Sequence, residues 1–152
     1  MSNLQAGSSD HCAQLHLSHA GASRDVLGTR FNLISYEDVM ATVIDWRESG
    51  LHHYITLTPP HSVLMCLRDT RLWRATDRAA LTLPDGVGII LAAKLFGYPH
   101  HGRVTGPLLM LRLCDWGREE GLRHFFYGGD PGVADTLAER LGACPSNAIQ
   151  NS

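Results

Sequence analysis

The rhythm of apolar and polar positions changes repeatedly along the chain. "DVLGTRFNLIS" (25–35) predicts a short strand or hairpin turning at Gly28. "YEDVMATVIDWRESG" (36–50) places Val39, Val43 and Trp46 on one helical face. Ser35 reads as its N-cap, Glu37 and Asp38 suit the positive end of the helix dipole, and Gly50 is a natural stop. "HHYITLT" (52–58) is strand-like. "PPHSVLMCLRDTRLWRATDRA" (59–79) predicts one helix opened by prolines. "ALTLP" (80–84) is a second short strand, and "DGVGIILAAKLFG" (85–97) a helix opened by Asp85 and closed at Gly97. After a loop (98–106), "PLLMLRLCDWGREEG" (107–121) predicts a helix with Leu109, Leu113 and Trp116 on one face. "LRHFFYGG" (122–129) reads as a strand running into a glycine turn. "DPGVADTLAERLG" (130–142) predicts a helix with Val133, Leu137 and Leu141 in register.

The order β-α-β-α-β-α-α-β-α predicts an α/β fold: a Rossmann-like parallel sheet with helices on both faces. Residues 1–24, rich in Ser, Gly, Ala and His, carry no sustained period and read as a disordered tail. The α/β domain is expected over 25–142, and 143–152 as an irregular tail. A doubly wound sheet would continue with further strand–helix units, so the chain reads as the N-terminal part of something longer, its sheet incomplete at the C-terminus.

Composition narrows the field. The 152 residues are 44% hydrophobic and 18% charged, which supports one packed domain rather than disorder. A net charge of −2 argues against a nucleic-acid partner, which would call for a basic face. Cys12, Cys66, Cys114 and Cys144 are widely spaced, so neither a disulfide framework nor a zinc site is indicated. Cys66 and Cys114 fall within apolar helical patterns and read as buried free thiols. His11, Cys12, His16 and His19 lie in the expected tail, which offers a metal no preformed geometry. The N-terminus lacks a signal peptide's pattern and no segment suits a spanning helix, so a reducing cytoplasm is the expected compartment.

Ligands of open parallel sheets bind at the carboxyl ends of the strands. Three loops meet that description: Thr56 to Pro60, Pro84 to Gly88, and Gly128 to Gly132. Thr56 and Thr58 alternate with Leu57, so their hydroxyls share one side of the strand; they are either strand formers or ligand contacts. Asp85, the only acid between Asp77 and Asp115, is either a helix N-cap or a base at the mouth of a pocket, with Gly86 and Gly88 letting a ligand approach the backbone. Gly128 and Gly129 precede a helix whose free N–H groups can meet an anion. No dinucleotide fingerprint or P-loop is present. Arg103 is either a solvated arginine or a counter-charge for a diphosphate. His52, His53, His100 and His101 occur in pairs without a partner acid and read as surface or loop residues.

"YITLTPPHSVLMCLRD", "LTLPDGVGIILAAKLFG" and "RVTGPLLMLRLCDWGREEGLRHFFYGGDPGVADTLAERL" resemble, in order and spacing, the WecG/TagA/CpsF glycosyltransferases (family 26), over about residues 28 to 141. The combination of P-D-G-x-G, a later R-x-x-G and F-x-x-G-G-x-P-G-V carries the resemblance. It implies inverting transfer of a sugar, N-acetylmannosamine-type or another hexose, from a UDP-sugar donor to a lipid-diphosphate-linked sugar acceptor in bacterial cell-surface or exopolysaccharide synthesis. Neither metal nor other cofactor is expected. The resemblance makes Asp85 the general base, with Thr56 beside it in the catalytic pocket. A single displacement needs one base, whereas a glycosidase would want two facing carboxylates. It puts Thr58, Gly86, Gly88, Arg103, Gly128 and Gly129 on the substrate, Arg103 steadying the leaving diphosphate. It also implies a cytoplasmic protein, peripheral at the inner face of the membrane, with a membrane surface and a second copy of the chain as further partners to test. Two departures stand out. The family's usual T-L-N-A-E is here "TLTPP", with Thr58 in place of an asparagine, and the C-terminal part of the pattern, including G-x-P-x-Q-E, is not in this chain.

Two rivals remain on sequence alone. One is a truncated, non-catalytic nucleotide-sugar binding remnant that keeps the loops without the reaction. The other is a Rossmann-type oxidoreductase, disfavoured by the missing fingerprint.

Overall fold

The computed structural model describes residues 23–99 and 104–143. The chain divides into two compact units, the first ending at Thr105 and the second beginning at Gly106.

The first unit opens with a hairpin. β1 (Ser23–Val26) pairs antiparallel with β2 (Thr29–Asn32), Val26 facing Thr29 across a two-residue turn. Leu27 (φ 54°) and Gly28 (φ 77°) both take the left-handed backbone that a type I′ hairpin turn demands. Glycine adopts it freely; leucine does so against its Cβ. The Gly28 N–H donates to Asp25 Oδ1 at 3.0 Å, and Trp73 Nε1 donates to the Gly28 carbonyl at 3.2 Å. The strand therefore starts at Ser23, inside the stretch expected as tail.

α1 (Tyr36–Glu48) begins as expected at Ser35 and carries a full capping box. Ser35 Oγ accepts from Asp38 N–H at 3.1 Å, and Asp38 Oδ2 accepts from Ser35 N–H at 3.0 Å. Val39, Thr42 and Trp46 form its buried stripe, while Val43 is half-buried.

β3 (Ile55–Thr58) and β4 (Leu81–Pro84) form a parallel pair in the register Thr56 to Thr82 and Thr58 to Pro84. The expected single helix between them is two, α2 (Pro60–Cys66) and α3 (Thr70–Asp77). The break follows from Asp69. Its carboxylate accepts the N–H groups of Arg71 (2.8 Å) and Leu72 (3.3 Å), and so caps a new helix instead of continuing the old one. α4 (Val87–Leu95) follows β4, with Gly97 just past its end.

The core forms where the hairpin meets α2 and α4: Val26, Phe31, Leu33, Val63, Ile89 and Ala93 are buried together, with Ala92 and Tyr98 packed against them. The hairpin also reaches the parallel pair through a side chain. Asn32, buried at the end of β2, accepts the Thr82 N–H on Oδ1 at 3.0 Å, occupying a donor that β4 would otherwise offer to a third strand.

The second unit contains α5 (Gly106–Trp116) and α6 (Val133–Ala143). The Arg118 guanidinium donates to the Leu141 carbonyl, tying the turn after α5 to the last turn of α6. The strand expected at 122–129 is not formed: no strand among the described residues pairs with it, and Phe125 and Tyr127 are 90% and 96% exposed. Strand propensity cannot hold an extended segment without a ladder to satisfy its backbone. The molecule is thus mixed α/β with a small parallel sheet, as the Rossmann-like reading requires. Cys66 and Cys114 are free and buried, as expected. Burial pushes the Cys114 thiol above its ordinary pKa of 9.0, with the nearby Arg118 charge pulling weakly the other way.

Candidate active site

The two parallel strands end side by side, and the chain leaves both at the same edge. The ladder runs one residue beyond the strands: the Asp85 N–H donates to the Thr58 carbonyl at 3.3 Å. That bond fixes the backbone of the acid against the end of β3. Asp85 is half-buried, and its carboxylate makes no hydrogen bond or ion pair among the described residues.

Asp85 does not cap α4. That position falls to Gly86 (φ 119°), which has no side chain to offer, so the reading of Asp85 as the helix opener is corrected by one residue. Asparagine and aspartate usually cap by accepting the N–H of the second or third helical residue. Here the carboxylate stands one place too early, outside the cap.

Gly88 makes room for a neighbour. A Cβ placed there would lie 2.9 Å from Pro60 Cγ, and one on Gly86 would lie 3.5 Å from Pro60 Cδ. The loops after β3 and β4 are therefore packed directly on each other, Pro60 against the first turn of α4. Pro60 reads in the sequence only as a helix start; nothing in one sequence marks its contact across two strands.

Thr56 and Thr58 part company. Thr58 is buried and contributes its carbonyl to Asp85. Thr56 Oγ1 donates to Thr82 Oγ1 at 3.2 Å, and Thr82 Oγ1 donates onward to the Thr76 carbonyl at 3.2 Å. This hydroxyl chain leads from β3 across β4 into the C-terminal part of α3. Thr82 was legible only as a strand residue, although the matching T-L-T and L-T-L alternation foreshadows its pairing with Thr56.

Arg103, His100 and His101 lie outside the described residues, as do the tail cluster of His11, Cys12, His16 and His19 and the remaining cysteine, Cys144. The neighbouring anchor is defined: Thr105 N–H donates to the Tyr36 hydroxyl at 2.9 Å, beside buried Val104. His52 and His53 are exposed, His53 lying 4.7 Å from the Trp46 ring centre. Gly128 (φ 115°) and Gly129 (φ 79°) belong to the second unit, where both take backbone conformations that favour glycine. Nearby, Pro131, Gly132, Val133, Thr136, Leu137 and Arg140 line an open hollow of about 510 Å³ along the start of α6. Among the described residues no three His, Cys, Asp or Glu side chains gather to hold a metal ion, and no helix is long and apolar enough to cross a membrane.

Comparison with known proteins bears on this edge of the sheet. The model of the glycosyl transferase WecG/TagA/CpsF family matches residues 24–150. The chain is also 30% identical over 88 residues to a curated N-acetylglucosaminyldiphosphoundecaprenol N-acetyl-beta-D-mannosaminyltransferase of Bacillus spizizenii. That match covers 58% of this chain and 34% of the relative, so the chain spans about a third of the length of the protein it matches.

Proposed function

The chain belongs to the WecG/TagA/CpsF family of glycosyltransferases, and from that premise we propose that it transfers an N-acetylmannosamine-type sugar from a UDP-sugar to a lipid-diphosphate-linked acceptor. Asp85 is the general base. As the acceptor hydroxyl attacks the anomeric carbon, Asp85 takes its proton. The new glycosidic C–O bond forms as the bond to the diphosphate breaks, UDP leaves, and the anomeric centre inverts. One observation carries this reading. The half-buried Asp85 carboxylate is committed to no cap and no ion pair among the described residues, while its backbone is fixed at the C-terminal edge of the parallel strands. A carboxylate so held is positioned for a proton and has no structural task to lose.

The other roles are part of the same proposal. Thr56 acts as a positioning residue, its bond to Thr82 holding the ends of β3 and β4 in register beneath Asp85. Thr58 orients the acid through its carbonyl. Gly86 and Gly88 keep the mouth low against Pro60. Arg103 neutralises the departing diphosphate, and Gly128 and Gly129 receive the nucleotide. The 30% identity to a mannosaminyltransferase supports the donor class.

The test is transfer of radiolabelled sugar from UDP-N-acetylmannosamine to a synthetic lipid-diphosphate N-acetylglucosamine acceptor, by the chain and by Asp85→Asn. The expected loss is about 10²- to 10⁴-fold in rate, with stability changed by no more than about 0.5 kcal/mol. An Asp85→Asn variant as fast as the parent would remove the base. UDP binding by calorimetry without any transfer would leave a nucleotide-sugar binding module.

A further inference from the structure

β4 is buried along its whole length, yet it carries a threonine between two leucines. Leu81, Leu83 and Pro84 have no polar side-chain atom, so Thr82 makes every side-chain hydrogen bond of the strand. Its hydroxyl joins two elements, donating to the Thr76 carbonyl of α3 at 3.2 Å and accepting from Thr56 Oγ1 of β3 at 3.2 Å. A carbonyl can only accept, so the single Thr82 proton goes to Thr76, and the Thr56 proton must come to Thr82. At 3% exposure, Thr82 is too buried for water to replace either partner. The last three residues of α3 repeat the pattern with other strands. The Ala75 carbonyl accepts the Tyr54 hydroxyl, just before β3, at 2.6 Å, and the Asp77 carbonyl accepts Arg30 Nη2, from β2, at 2.9 Å. Carbonyls that a helix leaves unpaired at its end thus meet a different strand segment at each position.

We propose that Thr82 is a positioning residue: its bond to the end of α3 pins β4 in the register that sets the place of Asp85. The inference rests on Asp85 as the base proposed above. A backbone ladder alone does not choose a register. A parallel pair shifted by one residue turns every side chain to the opposite face, which the buried leucines forbid. Shifted by two, it keeps its faces and its bond pattern. Such a step moves a strand by about 6.6 Å, whereas a misplacement of about 1 Å at reacting atoms can cost about 10²-fold in rate. β3 by itself tolerates the step, because Thr58 repeats the Thr56 hydroxyl two residues on. The Thr76 carbonyl offers no repeat, since its neighbours Ala75 and Asp77 are taken by Tyr54 and Arg30. Thr82 is therefore the one side chain of β4 that ties the strand to a point outside the ladder, three residues before the acid.

The experiment replaces Thr82 by valine, which keeps the shape and removes the hydroxyl, and by serine, which keeps the hydroxyl. Thr42→Val is the control: Thr42 is buried too, and its hydroxyl donates to the Asp38 carbonyl at 2.7 Å, but within α1. Two readouts are taken on the full chain. Amide hydrogen exchange by NMR follows the Asp85 N–H, whose bond to the Thr58 carbonyl reports the register at the acid. At matched global stability it should exchange about tenfold faster in Thr82→Val than in Thr42→Val, and Thr82→Ser should restore it. In sugar transfer, Thr82→Val should lose about 10²-fold in kcat with KM within about twofold of the parent, while Thr42→Val keeps both. Thr82→Cys, with its weak S–H donor, should fall between valine and the parent, and it carries the test where valine does not fold. Equal Asp85 exchange in the two valine variants overturns the proposal. So does a Thr82→Val chain that keeps its kcat, or a loss that serine does not restore. Faster Asp85 exchange in a chain that transfers no sugar, or whose transfer survives Asp85→Asn, keeps the pin and removes the base.

Discussion

Alanine at Gly88 should weaken the fold even though alanine is the better helix former. Carbon atoms rest about 3.5–4.0 Å apart, and the new Cβ would stand 2.9 Å from Pro60 Cγ. The proline ring is closed onto its own backbone and cannot swing aside, so the first turns of α2 and α4 must separate. Overpacking of this kind costs about 1–3 kcal/mol. Replacing glycine by alanine in a helix returns about 1 kcal/mol, leaving a net loss of up to roughly 2 kcal/mol. Urea unfolding followed by tryptophan fluorescence measures it. A Trp116→Phe background confines the signal to Trp46 and Trp73, which lie in the same unit as the contact. The decisive comparison is the same substitution in Pro60→Ala, where Cγ and Cδ are gone. There Gly88→Ala should become neutral or stabilising, with a coupling of about 1–3 kcal/mol between the two sites. If Gly88→Ala raises the urea midpoint equally in both backgrounds, the two loops are not in contact and the packing of the candidate site described above is wrong.

Leu27→Asn should stabilise the first unit by about 1 kcal/mol, because asparagine tolerates the left-handed backbone that leucine holds under strain; a lower urea midpoint would contradict the turn geometry. Ser35→Ala should cost about 1 kcal/mol by releasing the Asp38 N–H, measured by the same unfolding curve. Stability should fall as pH rises past the ordinary thiol value of 9.0, since the unfolded chain sheds the Cys114 proton before the folded one does; Cys114→Ala should flatten that limb of a pH–stability profile.

Much of the first unit was legible because local and tertiary signals agree there. Ser35 is a cap by both tests, Gly28 a turn, and the two short strands fall where β-branched and apolar residues gather. The helix over 59–79 broke because Asp69 can satisfy two backbone donors of a new helix, a local bond that apolar periodicity does not register. "LRHFFYGG" has every strand-forming residue but no partner, and a partner lies outside any local signal. At the site, the alternation of Thr56 and Thr58 was visible, yet it could not say that one hydroxyl would be spent on Thr82. Asp85 stood out as an isolated acid after a strand. Only the backbone of Gly86 showed that the carboxylate is left over from capping.

The Asn32 carboxamide that meets the Thr82 N–H has a mechanical meaning. Two sheets joined by a continuous ladder share one register, whereas here a side chain takes the place of the next strand on Thr82, and the hairpin and the parallel pair each keep a register of their own. The strands beneath Asp85 are thus aligned by their own ladder and not by the hairpin's.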